Sequence, residues 1–295
     1  MRYSLIDLFR TIAIVLVFFF HISIEINPIW GRVFINFGNI YRFNTGDLGI
    51  AIFIIISGLC LTLRYKNKKI EYVKFITQRF LKIYPPFFIA LIMGVIFYYI
   101  LPDTLLQEGY YYFPQINTAD IFCSLTGFCN FLGRIGGPFL GPSWFIGLII
   151  VLYLLFPLLL KKFKTNPYAS LFILFLISLI FRYLYNNFPP LIYKLQPFFP
   201  LDYLFEFGLG IYLGLVVKNN FWTYLNKYKK LSRILIRLGL LSFPLFLVHH
   251  PLLFIVNSLE KLNVSLFVSI PLYLLVSGVF SFLLFKMIKK IPRKI

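Results

Sequence analysis

The strongest constraint on this chain is a series of apolar segments long enough to cross a bilayer, at roughly 5–24, 47–64, 84–101, 143–160, 168–187, 201–217, 238–256 and 264–285. A helix needs about 20 mostly apolar residues to cover a hydrocarbon layer. Inside that layer it satisfies its own backbone hydrogen bonds, which a loop cannot do. The expected fold is therefore all-α: a polytopic membrane bundle of about eight transmembrane helices, forming one membrane domain over residues 1–295. Composition agrees, since 60% of residues are hydrophobic and 13% charged, a balance no soluble chain of this length would tolerate.

The formal charge of +19 would suit nucleic acid if it formed a patch, but the basic residues sit in short loops between apolar segments. Arg64, Lys66, Lys68, Lys69, Lys74, Arg79 and Lys82 separate the second and third segments. Lys161, Lys162 and Lys164 follow the fourth, and Lys218, Lys227, Lys229, Lys230, Arg233 and Arg237 follow the sixth. Lys286, Lys289, Lys290, Arg293 and Lys294 close the chain. With eight crossings all four clusters share one face, which the positive-inside rule makes cytoplasmic, along with both termini. The opposite loops hold few basic residues, among them Arg32, Arg134 and Lys194. No nucleic-acid partner is expected.

The first segment contains Asp7 and Arg10 and lacks a small-residue cleavage site, so it reads as a retained helix and not a removed leader. The long outer connection, from about 101 to 142, contains an apolar stretch, 121–131, too short to span. It is expected to be re-entrant or interfacial. Its Tyr110, Tyr111, Tyr112 and Phe113 suit either sugar stacking or an interfacial belt. Cys60, Cys123 and Cys129 lie in apolar surroundings without metal-ligand spacing and read as packing residues.

Arg10 and His21 stand eleven residues apart. At about 100° and 1.5 Å per residue they share one helix face, roughly 16 Å apart. One polar stripe thus joins the ends of an apolar helix. An arginine at such depth needs a protein partner or water and reads as functional; the plainer reading, with Arg10 snorkelling to the near interface, stays open. The remaining costly residues sort by depth. Asp47, Ser143, Trp144, Arg182, Glu206, His249 and His250 fall in the outer half, and Arg79 and Lys82 at the cytoplasmic entrance to the third segment. A basic inner entrance suits an anionic, phosphate-bearing donor, and outer imidazoles suit removal of a proton from a hydroxyl.

Each residue has a structural alternative. Arg79 can simply set topology, Trp144 can be a belt aromatic, and Glu206 can neutralise Arg182 or Arg10. His249 and His250 point about 100° apart on a helix, so at most one of them is expected to face the same site as His21. No G-x-S-x-G elbow, phosphate-binding glycine loop or metal-ligand set is present.

Several stretches in order resemble one family. Asp7-x-x-Arg10 through His21 is similar to the D-x-x-R-x10-H signature of the membrane acyltransferase-3 family, which includes polysaccharide and lipopolysaccharide O-acetyltransferases. Gly49 to Ser57-Gly58 resembles its G-V-x-L-F-F-V-x-S-G segment, and Arg79-Phe-Leu-Lys82-Ile-Tyr-Pro85 its R-x-x-R-x-x-P loop. Ser143-Trp144 through Tyr153 to Pro157, Glu206-Phe207 with Gly210, and Ser242 to His249-His250-Pro251 resemble later elements.

The resemblance implies a bacterial inner-membrane enzyme moving an acyl group, usually acetyl, from cytoplasmic acyl-CoA to a hydroxyl of a surface or lipid-linked glycan. Acetyl-CoA would be a co-substrate, with no tightly bound cofactor and no metal. It also implies that His21 is the catalytic base or acyl-handling residue with Arg10 as its partner, and that Arg79 and Lys82 bind the donor. Asp7, Ser57, Trp144, Glu206, His249 and His250 would give support or face the acceptor. The chain departs from the family pattern in having Lys82 for the second arginine, Phe-Ile-Gly after Trp144 where relatives carry carboxylates, and about two spans fewer than ten. Two other readings stay open: a glycan-intermediate transporter or flippase, and a noncatalytic relative. Neither internal symmetry nor paired broken helices, which transporters often show, is found. Oligomeric state is not readable.

Overall fold

A computed structural model describes residues 3–26, 35–36, 42–100, 116–132, 136–187 and 199–290. Arg32, Arg134, Lys194, Arg293, Lys294 and the aromatic run at 110–113 lie outside the described residues. The regular structure is helical apart from one antiparallel pairing of Ile35–Asn36 with Arg42–Phe43. In chain order the helices are α1 (Ser4–Ile26), α2 (Thr45–Tyr65), α3 (Tyr72–Ile100), α4 (Thr118–Thr126), α5 (Ser143–Thr165), α6 (Pro167–Asn187), α7 (Leu204–Val216), α8 (Asn219–Trp222), α9 (Lys229–Val248), α10 (Phe254–Lys261) and α11 (Leu266–Lys290).

Seven of these, α1, α2, α3, α5, α6, α9 and α11, are long and apolar enough to cross a membrane. The protein is therefore an all-α, multi-pass membrane bundle. The remaining expected span, 201–217, consists of a 3-10 turn, Pro200–Tyr203, running into the 13-residue α7. At about 2.0 Å and 1.5 Å rise per residue the two together reach roughly 28 Å, close to one hydrocarbon thickness.

Two boundaries differ from the sequence reading. α3 begins at Tyr72, not near 84, and runs through Pro85 and Pro86, so Arg79 and Lys82 sit on a helix and not in a loop. α9 starts at Lys229 and stops at Val248 in place of 238–256. Its four basic residues looked too polar to belong to a span, yet lysine and arginine are good helix formers whose stems lie along apolar surface. It stops because Pro251 has no N–H for the next helical bond, and a 3-10 turn, His250–Leu252, follows.

The interior is organised around α2, which packs on α7, and around α1, which packs on both α2 and α9. The α2–α7 contact is close because it is built from glycine: a Cβ on Gly58 would strike the Phe207 carbonyl, and one on Gly210 the Ile55 carbonyl. Such small-residue faces let helix backbones approach where no hydrophobic effect drives association. α5 is buried on most faces, whereas α6 and α11 expose Phe172, Ile173, Phe267 and Val279 as a lipid-facing surface would.

The apolar stretch expected to be interfacial forms α4 and a 3-10 turn, Cys129–Leu132. Ile121, Phe122 and Leu125 of α4 are exposed, so this piece is no additional span. Cys123 and Cys129 are joined in a disulfide there, which corrects their reading as packing thiols. Sequence alone could not show it, because six residues of separation say nothing about where two side chains point.

Candidate active site

Arg10 is held by its neighbours before it meets any ligand. One helical turn back, Asp7 is fully buried, and its Oδ1 accepts a hydrogen bond from Arg10 Nη1 at 2.8 Å. Arg10 Nη2 reaches Cys60 Sγ on α2 at 3.3 Å. Asp7 fits because the facing residue on α9 is Gly239, where a Cβ would lie 2.6 Å from Asp7 Cβ. Cys60 is therefore part of the arginine's setting and not a mere packing residue.

The guanidinium faces a cavity of about 790 Å³. One end is basic, with Arg64, Lys68, Lys82 and Lys289 in its wall; Asp7, Arg10, Cys60, Ser57 and Tyr153 line it further in; Phe53, Phe145, Ile149 and Phe246 line its far end. From Arg64 to Phe53 along α2 is eleven residues, so the cavity is about 16 Å deep. On its wall Ser57 Oγ and the Tyr153 hydroxyl share a 2.6 Å hydrogen bond. A basic mouth leading past a fixed guanidinium can hold an elongated anion through charge-assisted hydrogen bonds.

The expected donor pair divides. Lys82 lines the cavity, whereas Arg79 is 6% exposed and not among the lining residues. Its guanidinium lies over the Phe75 ring at 5.5 Å, and its Nε has no hydrogen-bond partner among the described residues. Arg79 therefore stands behind the cavity wall and not in it.

Beyond the aromatic end lies a cluster of all three histidines. The His21 ring centroid is 4.9 Å from that of His249 and 5.5 Å from that of His250, both nearly edge-on. Both histidines thus reach His21, contrary to the expectation for one. They sit where α9 gives way to a 3-10 turn, and His21 packs against both rings. His21 Nδ1 lies 2.9 Å from the Val17 carbonyl. A carbonyl can only accept, so Nδ1 carries the proton and Nε2 is the basic nitrogen of the neutral ring. His249 is bonded the same way to the Phe246 carbonyl at 2.7 Å, and its Nε2 is buried without a partner among the described residues. Gly141, in the turn before α5, lies against the His250 ring.

His21 is not among the residues lining the Arg10 cavity. Phe246 lies between, contacting Phe145 at 4.9 Å and Phe53 at 6.1 Å on the cavity side and His249 at 5.8 Å on the other. The polar stripe of α1 is thus two compartments divided by aromatic rings.

Other expected site residues have structural places. Glu206 pairs with Arg182 at 2.6 Å, so its partner is not Arg10. Trp144 is buried against Phe145 and does not lie in an exposed belt. Ser143 Oγ accepts the Gly137 N–H and holds the turn before α5. Asp47 closes a capping box with Asn44 at the start of α2. Sequence reasoning missed Tyr153, Cys60 and Phe246. Two of them left a signal: Tyr153 is the one polar side chain between Trp144 and Pro157, and Cys60 lies three residues from Ser57 on the same helix face.

Fold and site together define a multi-pass membrane protein with a basic-mouthed cavity beside buried imidazoles. The profile described as an acyltransferase domain, that of the membrane acyltransferase-3 family, matches residues 3–226. The chain belongs to that family and is a membrane acyltransferase. No curated protein and no solved structure matches it. The matched stretch contains Asp7, Arg10, His21, Ser57, Arg79, Lys82, Trp144 and Glu206, whereas His249 and His250 lie beyond it.

Proposed function

We propose that the protein transfers an acyl group, acetyl by preference, from cytoplasmic acyl-CoA to a hydroxyl of a cell-surface or lipid-linked glycan, and that it does so in a bacterial inner membrane. The observation that carries this reading is the cavity, basic at its mouth and lined deeper by Arg10, which is paired with the buried Asp7. The phosphates of CoA fit the charges of Arg64, Lys68, Lys82 and Lys289, and the thioester end fits the wall formed by Ser57, Cys60 and Tyr153. The basic mouth would face the cytosol by the positive-inside rule. The Cys123–Cys129 disulfide supports that orientation, since such bonds persist on the oxidising side of a membrane.

In the reaction the acyl end of the donor passes Phe246 into the imidazole compartment, where the acceptor oxygen attacks the thioester carbonyl while His21 Nε2 takes the hydroxyl proton. Collapse of the tetrahedral adduct breaks the carbon–sulfur bond, and CoA leaves as a thiolate that recovers the proton. Arg10 holds the anionic donor in place. Membranes containing the protein should release CoA thiol from acetyl-CoA in the presence of envelope glycan. His21→Ala should remove at least 99% of that rate, general-base catalysis being worth about 10²- to 10⁴-fold. A His21→Ala protein that inserts normally and keeps its full rate would reduce His21 to a packing residue.

A further inference from the structure

We propose that Phe246, with Phe53 and Phe145, is the acyl-selectivity element of this enzyme, admitting a two-carbon acyl group and refusing longer ones; the inference rests on the acyl-CoA reading above. The three rings line the end of the cavity opposite its basic mouth. A donor whose phosphates sit at the mouth must present its thioester toward that end, so the acyl group meets these rings together with Ile149. Phe246 is the central one, touching Phe145 on α5 and Phe53 on α2. Its opposite side meets His249, and its carbonyl accepts the His249 Nδ1 hydrogen bond. The ring is therefore both the end of the donor cavity and the partition before the imidazoles.

Its backbone is placed to shift. Pro244 has no N–H to give to Leu240, and Ser242 Oγ bonds back to the Gly239 carbonyl; both weaken the regular ladder just before Phe246. A small acyl group passes when this turn relaxes, and a longer chain needs the volume the ring occupies. An apolar pocket discriminates about 10- to 200-fold per methylene.

The test measures CoA thiol release by the full-length protein in membranes with acetyl-, butyryl- and hexanoyl-CoA. Wild type should prefer acetyl over hexanoyl by about tenfold or more. Phe246→Ala should cut that preference at least tenfold while inhibition by free CoA, which occupies the basic mouth, stays unchanged. Phe246→Trp should act in the opposite sense, lowering butyryl turnover more than acetyl turnover. A merely structural role would depress all three substrates alike and leave their ratio fixed, and that result overturns the proposal. Should Phe246→Ala fail to insert, Phe246→Leu and the Trp variant read the same ratio. A wild-type protein that turns over none of the three overturns the acyl-CoA reading itself, and this inference with it.

Discussion

Arg10 is affordable within the bundle only because Asp7 neutralises it, and Asp7 is itself fully buried. Asp7 is buried but the Arg10 side chain is 27% exposed, so breaking the pair should cost less than the roughly 3–5 kcal/mol of a fully buried one. Asp7→Asn should therefore lower thermal stability in detergent more than Arg10→Met, which leaves a carboxyl that can take up a proton. Equal melting temperatures for the two variants would show that the pair is screened by water. Tyr153→Phe leaves Ser57 Oγ without its bond and should cost about 1–3 kcal/mol, read as an earlier loss of the native fold on heating. Part of this scale was legible: the Arg10 to His21 spacing predicts one helix face, whereas the Asp7–Arg10 pair was not among the expectations. What could not be read was the division of the stripe, because Phe246 comes from another helix more than two hundred residues away.

At the level of elements, the spans were visible as apolar runs, and their ends were misjudged wherever charge entered a helix. α3 and α9 both start among lysines and arginines, which a hydropathy reading assigns to loops. α9 ends at the histidines: His249 keeps helical backbone geometry, a 3-10 turn follows at Pro251, and His21 of α1 meets both rings. Pro251→Ala should let α9 run on and dislodge one ring, lowering turnover without blocking insertion; unchanged turnover would show that the turn is incidental. The α2–α7 contact makes a sharper demand. Gly210→Val places two methyl groups where the Ile55 carbonyl stands and should cost at least about 1–3 kcal/mol, seen as aggregation on extraction at temperatures the wild type tolerates.

For the whole molecule, charge and imidazoles sort to opposite ends of the cavity. Basic residues end α2, line the start of α3 and end α11, and they form the cavity mouth, while the histidine cluster lies beyond its aromatic end and the disulfide sits in the short α4 segment packed against the start of α5. That the chain is a bundle of apolar, membrane-crossing helices was readable because it is a sum over many residues. The disulfide and the aromatic partition were not, because each depends on a single contact made by folding. Thiol labelling of intact cells should modify neither Cys123 nor Cys129 until a reductant is added; labelling without reductant would place that segment in a reducing compartment.

The central claim is that this bundle carries an acyl group from a donor on its basic side to a glycan hydroxyl on the other. Its most direct test is the O-acetyl content of surface polysaccharide, measured by NMR in cells with the wild-type protein, with His21→Ala and without the protein. The account predicts O-acetyl signals in the first and their loss in the other two, with the His21→Ala protein present in the membrane at normal level. O-acetylation that is identical in all three would contradict it.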